Sequence, residues 1–470
     1  MQIDVQLQAA NLVPAIRRLF ELAAGKARML DRSWDPARGT PVVTVQGKYT
    51  ARNWTQWTEG FLYGIPLLIF DATGDPAMLE IGRGKTRANM AVHVTHHGVH
   101  DHGFNNLSTY GNLRRLMQEG RIPHNAWELS FYELAIKASA SVQAARWSAA
   151  ADGRGYVYSF NGPHSLFIDT MRTLRIMSLA AQMGHVMQGE NDARISLLSR
   201  VLAHGITTAR FNIYYGNGRD HYDTPALAGR TVHEAIFNIN DGRFRCPNSQ
   251  QGYSPFSTWT RGLAWAILGF AEQLEFLQAS LRDRRMERES AAVAEAVPVF
   301  EKAAQATAEF YINQAAAADG ICYWDTGAPG MERLGDFRAR PADPFNDHEP
   351  VDASAAAIAA QGLLRLAKYL GATPRQQALA TRLQQAGLSI TRTLLSDNYL
   401  AADPDHEGIL LHSVYHRPNG WDHIPPGRKA PCGESSLWGD YHMVELALYV
   451  HRLASGGRYY QFFDPPGTAD

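Results

Sequence analysis

Apolar residues return every three or four positions along most of the chain. The first run, Leu12, Ile16, Leu19, Phe20 and Ala23, draws one apolar stripe along a helix, and Pro14 suits its first turn. TRGLAWAILGFAEQLEFL repeats the pattern at Leu263, Ile267, Phe270, Leu274 and Leu277. VDASAAAIAAQGLLRLAKYLG repeats it at Ala355, Ile358, Gly362, Leu363, Leu366 and Leu370, with Gly371 as C-cap. Further stripes fall near 164 to 183, 191 to 204, 291 to 317, 375 to 395 and 436 to 454. Loops rich in aromatic residues and glycine separate them, without strand-like alternation, so the pattern predicts an all-α fold. Small residues in AAAIAAQG and SLAAQMG allow helices to approach closely. A toroid of stacked helix pairs in one domain, residues 1–470, follows from period and length. No fixed repeat indicates a solenoid, and the charged stretch Ser280 to Ala292 is expected to cap a helix hairpin as a solvated face rather than to link domains.

Composition supplies the core and narrows the partners. Hydrophobic residues make up 45% of the 470 and charged residues 19%, enough to fill a large interior. A formal charge of -1 leaves no field to draw the chain onto nucleic acid or anionic membranes, and neither is expected as a partner. Cys246, Cys322 and Cys432 form no CxxC pair, so neither a disulfide framework nor a cysteine zinc site is indicated. The N-terminus lacks a basic start followed by an apolar run, and no uncharged apolar stretch approaches the ~18 residues of a membrane helix. A cytoplasmic setting is expected, or a periplasmic one if a leader has been removed.

Three segments carry candidate chemistry. HVTHHGVHDHGFNN gathers His93, His96, His97, His100 and His102 around Asp101. Four of these histidines fall at helical spacing, which raises a metal site, but Gly98 interrupts the helix. Hydrogen bonding at a helix end is the weightier reading, and no metal is assigned. Asp101 stands where a helix meets Gly103, so its carboxylate could be aimed into a cavity. In NGPHSLFIDTMRTLRIM, Asp169 has apolar neighbours whose burial would raise its pKa, as a general acid near neutrality requires. The alternative is a first-turn aspartate favoured by the macrodipole and paired with Arg172 at i+3. NSQQGYSPFSTWTRGLAWAILGF brings Gln251, Tyr253, Trp259, Arg261 and Trp265 together. Aromatic faces beside amide and guanidinium donors suit a sugar. Trp54 and Trp57, Tyr323 and Trp324, and Trp438 and Tyr441 extend the aromatic set at other helix ends. GxGxxG, GxxxxGK[ST] and GxSxG are all missing, so no nucleotide cofactor or nucleophile elbow is indicated.

Taken in order, NWTQWTEGFLYG, VHDHGF, SLFIDTMRTL, AHG at His204, QGYSPFSTWTRGLAWAILGF and VDASAAAIAAQGLL resemble the motifs of the unsaturated glucuronyl hydrolases, glycoside hydrolase family 88. The resemblance runs from about Trp54 to Tyr449 by motif placement. It implies an (α/α)6 barrel with a cleft at one end, no cofactor, and a monomer or homodimer. It implies removal of a 4,5-unsaturated uronic acid from the non-reducing end of lyase-generated oligosaccharides, with glycosaminoglycan-type disaccharides as the expected substrates, by hydration of the C4=C5 double bond. Asp169 is then the general acid and base, and Asp101 positions the sugar and keeps Asp169 protonated. His204, Gln251, Trp259, Arg261, Trp265 and Ser413 become substrate-binding residues, Arg261 as a candidate for the uronate carboxylate and Trp57 as a stacking platform. Two features depart from the family. Tyr158 or Phe160 stands where the family often has a tryptophan. LHSVYHRPNG offers Ser413, His416 and Pro418 where some members carry a Ser-x-x-Ser-x-Lys sulfate motif, with Arg417 keeping sulfate binding open. An unsaturated rhamnogalacturonyl hydrolase, a sugar epimerase or isomerase using the histidine cluster, and a non-catalytic sugar-binding protein are the competing readings.

Overall fold

A computed structural model of the protein describes residues 1–52, 56–280 and 289–463. Trp54 and residues 281–288 of the charged stretch lie outside them. The chain is mainly helical, and its periodic runs become helices that alternate between a half-buried and an almost fully buried kind. The first kind comprises α1 (Val13–Ser33), α3 (Pro76–Asn89), α5 (Ala126–Ala145), α7 (Leu197–Phe211), α9 (Ser290–Phe310) and α11 (Gln377–Leu394). In α1, Ile16, Leu19 and Ala23 are wholly buried while the opposite face meets water, as the stripe predicts.

The second kind comprises α2 (Glu59–Thr73), α4, α6, α8 (Thr260–Ser280), α10 (Ala353–Leu370) and α12 (Leu437–Ala454). Helix α4 runs through His102–Asn106, a π turn at Leu107–Gly111 and Asn112–Gln118. Helix α6 is formed by Thr170–Thr173 and Arg175–Gln182. Each packs on the next along the chain, and α12 packs back on α2. Small residues permit the close crossings. A Cβ on Gly103 of α4 would lie 2.1 Å from the Thr173 carbonyl oxygen of α6, and one on Gly362 of α10 would lie 2.8 Å from the Leu268 amide nitrogen of α8.

Ion pairs bridge the buried helices below their N-terminal ends. Arg172 pairs with Glu272 and, at 2.9 Å, with Glu445. Arg365 meets Glu275 at 2.8 Å, Arg115 meets Asp71 at 2.7 Å, and Arg452 reaches both Asp71 and Glu119 at 2.6 Å. Tyr460 donates to Glu445 at 3.0 Å. The alternative reading, in which Arg172 pairs with Asp169, is therefore not realised. The guanidinium turns inward to two buried carboxylates, which offset its desolvation more fully than one could.

The connections differ from the sequence expectation in carrying short strands. A hairpin joins β1 (Pro41–Val45) to β2 (Lys48–Ala51), and β3 (Ser165–Phe167), β4 (Glu234–Phe237) and β5 (Phe244–Asn248) form an antiparallel sheet in the order β3-β4-β5. Short hairpins also precede α6 and α7. The apolar SLF of the run near 164 is thus a buried strand, and its helix starts only at Thr170. A short apolar run has the same composition in either state. The run near 191 divides in the same way, with Ser196 capping α7 through its hydroxyl. No helix among the described residues is long and apolar enough to cross a membrane.

Candidate active site

The buried helices point their N-termini to one end, and the loops there line a single cavity, the kind of concave place in which small ligands bind. Asp101 is the N-cap residue of α4 and Asp169 that of α6. Trp57 precedes α2, while Trp259, Arg261 and Trp265 mark the start of α8. Together with Gln251 these seven residues line one cavity. The tight α4–α6 crossing at Gly103 brings the two aspartates to a common wall, with side chains only 7% and 10% exposed.

His100 stands between them. Its Nε2 lies 3.7 Å from Asp101 Oδ1 and 3.4 Å from Asp169 Oδ1. This is ion-pair reach without hydrogen-bond alignment, and both imidazole nitrogens and Asp169 Oδ1 have no protein hydrogen-bond partner. Phe160 stacks on the imidazole at 5.9 Å. Burial pushes Asp101 up to about 6, and the neighbouring Asp169 charge adds to that against the opposing pull of His100. Burial also acts to raise Asp169, but His100 and then His233 outweigh it and hold it below the ordinary carboxylate value. Burial would lower His100, yet the two carboxylates raise it. The protonation order expected from sequence is thus inverted. Asp101 is the carboxyl that retains a proton longer, because His100 compensates Asp169 more strongly.

The remaining expected residues separate into those that face the cavity and those that do not. Gln251 faces it, its Oε1 accepting from Arg261 Nη2 at 2.9 Å. Arg261 touches the cavity, but its terminal nitrogens are occupied. Nη1 donates to Asp352 at 3.1 Å and to the Val414 carbonyl, and Nη2 also donates to the Tyr415 carbonyl at 2.8 Å. Trp259 and Trp438 sandwich the group at 4.6 and 4.9 Å. A guanidinium so committed fixes Gln251 and the 414–415 backbone, and the expectation that it takes the uronate carboxylate is corrected accordingly. His204 does not line the cavity. Its Nδ1 accepts from the Val157 amide at 3.0 Å, and burial lowers its pKa to about 3. Ser413 is also set back, behind Gly439 of α12.

Residues missed in the sequence complete the wall: His100, Phe104, Gln250, Tyr415, His416 and Trp421. Phe160 rather than Tyr158 takes the place left open between them, because Tyr158 lies under Arg146 at 4.4 Å. His233 stands edge-on to Trp259 at 4.8 Å, and its Nδ1 accepts from the Gln250 amide at 3.0 Å. It is the histidine next to Asp169 that sequence reasoning missed, since a lone histidine just before strand β4 carries no motif. HDHGF did hold the signal for His100, adjacent to Asp101.

Two other histidines of the cluster are spent on structural bonds. His93 Nε2 meets Glu59 Oε2 at 2.6 Å, and His102 bonds Ser139 and the His96 carbonyl at 2.7 and 3.0 Å. No group of three or more His, Cys, Asp or Glu side chains among the described residues converges as ion ligands do.

No family model matches the chain. It is 27% identical over 427 residues to the unsaturated glucuronyl hydrolase of Bacillus sp. (strain GL1), covering 87% of this chain and 90% of that one. It is 24% identical over 395 residues to the unsaturated glucuronyl hydrolase of Formosa agariphila, covering 83% and 78%. The crystal structure of the Bacillus sp. GL1 enzyme, described as responsible for the degradation of glycosaminoglycan, superimposes with a TM-score of 0.69. That match has 23% identity over 95% of this chain and 99% of the other. The resemblance drawn from the motifs therefore extends over most of the molecule.

Proposed function

We propose that the chain is an unsaturated glucuronyl hydrolase of glycoside hydrolase family 88, a glycosidase that removes 4,5-unsaturated uronic acid from lyase-generated oligosaccharides, glycosaminoglycan-type disaccharides foremost. The observation that carries this reading is the pair Asp101 and Asp169 on one aromatic-walled cavity with His100 between them. The cycle of packed buried helices with a second set outside supports an (α/α)6 barrel, which we take as one catalytic domain over residues 1–470. The free cysteines fit a cytoplasmic enzyme, acting as monomer or homodimer without a cofactor.

The bond attacked is a vinyl ether. Asp169 delivers a proton to C4, positive charge develops at C5 and on the ring oxygen, and water adds at C5 while returning a proton to Asp169. The hemiketal opens, C1 becomes a hemiacetal, and the leaving sugar departs with its hydroxyl. No carboxylate attacks C1, so the two-carboxylate retaining and inverting schemes do not apply. The inverted protonation order is compatible with this. A bound uronate adds negative charge beside Asp169 and raises its pKa, so that a proton shared among His100, Asp101 and Asp169 can be held where C4 lies. Helix N-termini converging on the cavity favour that anion, while Trp57, Trp265, Phe160 and Trp421 offer faces to the sugar rings. The rival use of the histidine cluster in epimerisation loses support, since His93 and His102 are spent on structural bonds. Incubation with unsaturated disaccharides from chondroitin, hyaluronan, heparin and pectin tests the reading. Loss of ultraviolet absorbance with at least one is expected, and no loss with any refutes it. A response confined to the pectin product would favour an unsaturated rhamnogalacturonyl hydrolase.

A further inference from the structure

We propose that Asn105 is a positioning residue that sets the Trp57 platform for the sugar, with its amide held in orientation by His93 and Glu59. The inference rests on the reading of Trp57 as a stacking face. Trp57 follows Gln56, whose φ of 50° is left-handed and disfavoured for a residue with a Cβ. The turn into α2 also lacks an ordinary cap. Thr58 is the N-cap residue but makes no side-chain cap bond, and its hydroxyl donates instead to the Pro41 carbonyl at 2.8 Å. Asn105, on α4, supplies what is missing from across the helix interface. Its Oδ1 accepts the Gly60 amide at 2.9 Å, and its Nδ2 donates to the Gln56 carbonyl at 3.2 Å. One buried amide therefore clamps both sides of the Trp57–Thr58 turn.

The amide cannot rotate without breaking this circuit. Nδ2 also donates to His93 Nδ1 at 3.2 Å, so that ring nitrogen must carry the lone pair. Its Nε2 then carries the hydrogen and faces Glu59 Oε2 at 2.6 Å. Glu59 is itself fixed by Tyr63, whose hydroxyl donates to Oε1 at 2.8 Å, and His93 is tied through its carbonyl to Asn106 at 3.0 Å. Both hydrogens and the oxygen of the Asn105 amide are thus used, with the side chain 98% buried by its 2% exposure. Asn105 lies one helical turn after Asp101 on α4, so the same residue couples the platform to the wall that carries the carboxylates. Trp57 in turn stacks on Trp438 at 5.0 Å and 27° and tilts against Phe104 at 5.7 Å. A shift at Gln56 or Gly60 would slide the ring across that surface.

A double-mutant cycle of Asn105→Ala and Trp57→Ala, with KM and kcat measured on an unsaturated disaccharide, tests the proposal. Asn105→Ala is expected to raise KM about tenfold with kcat within about twofold of wild type. In the Trp57→Ala background it should add less than about twofold, because the residue acts through the ring already removed. Asn105→Asp keeps an acceptor for Gly60 but loses both donors. It should show the same KM effect, and it carries the test if the alanine variant fails to fold. Additive effects in the cycle, or a fall in kcat at unchanged KM, overturn the proposal. An unchanged KM for Trp57→Ala also overturns it by removing the platform, yet leaves the enzyme assignment intact, because wild-type turnover is scored in the same assay.

Discussion

Asp169→Asn removes the transferable proton but keeps the shape of the side chain. It is expected to lower kcat by about 10² to 10⁴-fold with KM little changed, as steady-state rates on an unsaturated disaccharide will show. Unchanged kcat would remove Asp169 from the chemistry. The proton inventory adds a pH dependence. Asp101 is raised to about 6, so the free site loses that shared proton as pH rises through this value, and kcat/KM should fall on the alkaline side with an inflection near there. In Asp101→Asn a like charge beside Asp169 is gone, so the limb should move to lower pH. A limb that stays in place would place the titrating proton elsewhere. The two aspartates, Trp57 and the Gln251 to Trp265 set could be named from the sequence because their flanking motifs resemble those of a known family, and the fold brings them to one cavity. The order of protonation was not, since it depends on His100 and His233, whose distances to Asp169 only the fold defines. Nor was the commitment of Arg261 to Asp352 and two carbonyls, which lie far along the chain.

At the scale of elements, the site depends on how closely α4 approaches α6. Gly103→Ala puts a methyl against the Thr173 backbone carbonyl, a group that cannot swing aside. It should destabilise by about 1 to 3 kcal/mol and lower kcat by moving Asp101 away from Asp169. Thermal unfolding and kinetics on the same variant check both effects, and wild-type stability would contradict the packing account. Helices α1 and α6 to α12 were visible from their 3.6-residue period, whereas α2 to α5 were not singled out in the sequence. Strand β3 and the strand before α7 were missed because three residues carry too short a pattern to distinguish strand from helix. The Gly103 contact was hinted at only by a glycine beside a helix start, which sequence could equally assign to a helix break.

Across the whole molecule, the buried helices are held by apolar packing and by ion pairs that cross between them. Glu445 accepts from Arg172 and Tyr460 with no exposure. Glu445→Gln leaves a buried guanidinium undercompensated and should cost about 3 to 5 kcal/mol, measurable by denaturant unfolding; a loss within error would show the network to be dispensable. Sequence could announce an all-α chain with small residues for close crossings, and its period and length suggested a toroid, yet not which helices meet to close it, since no repeat marks the contact of α12 with α2 and it joins distant segments. The same closure gathers the helix N-termini at one end, beside the cavity proposed to take an anionic unsaturated sugar. The most direct test compares two substrates that differ only at C4 and C5, an unsaturated disaccharide and its saturated counterpart. Vinyl-ether hydration predicts release of the second sugar with loss of ultraviolet absorbance from the unsaturated compound and no release from the saturated one. Release from the saturated disaccharide at a comparable rate would contradict the account.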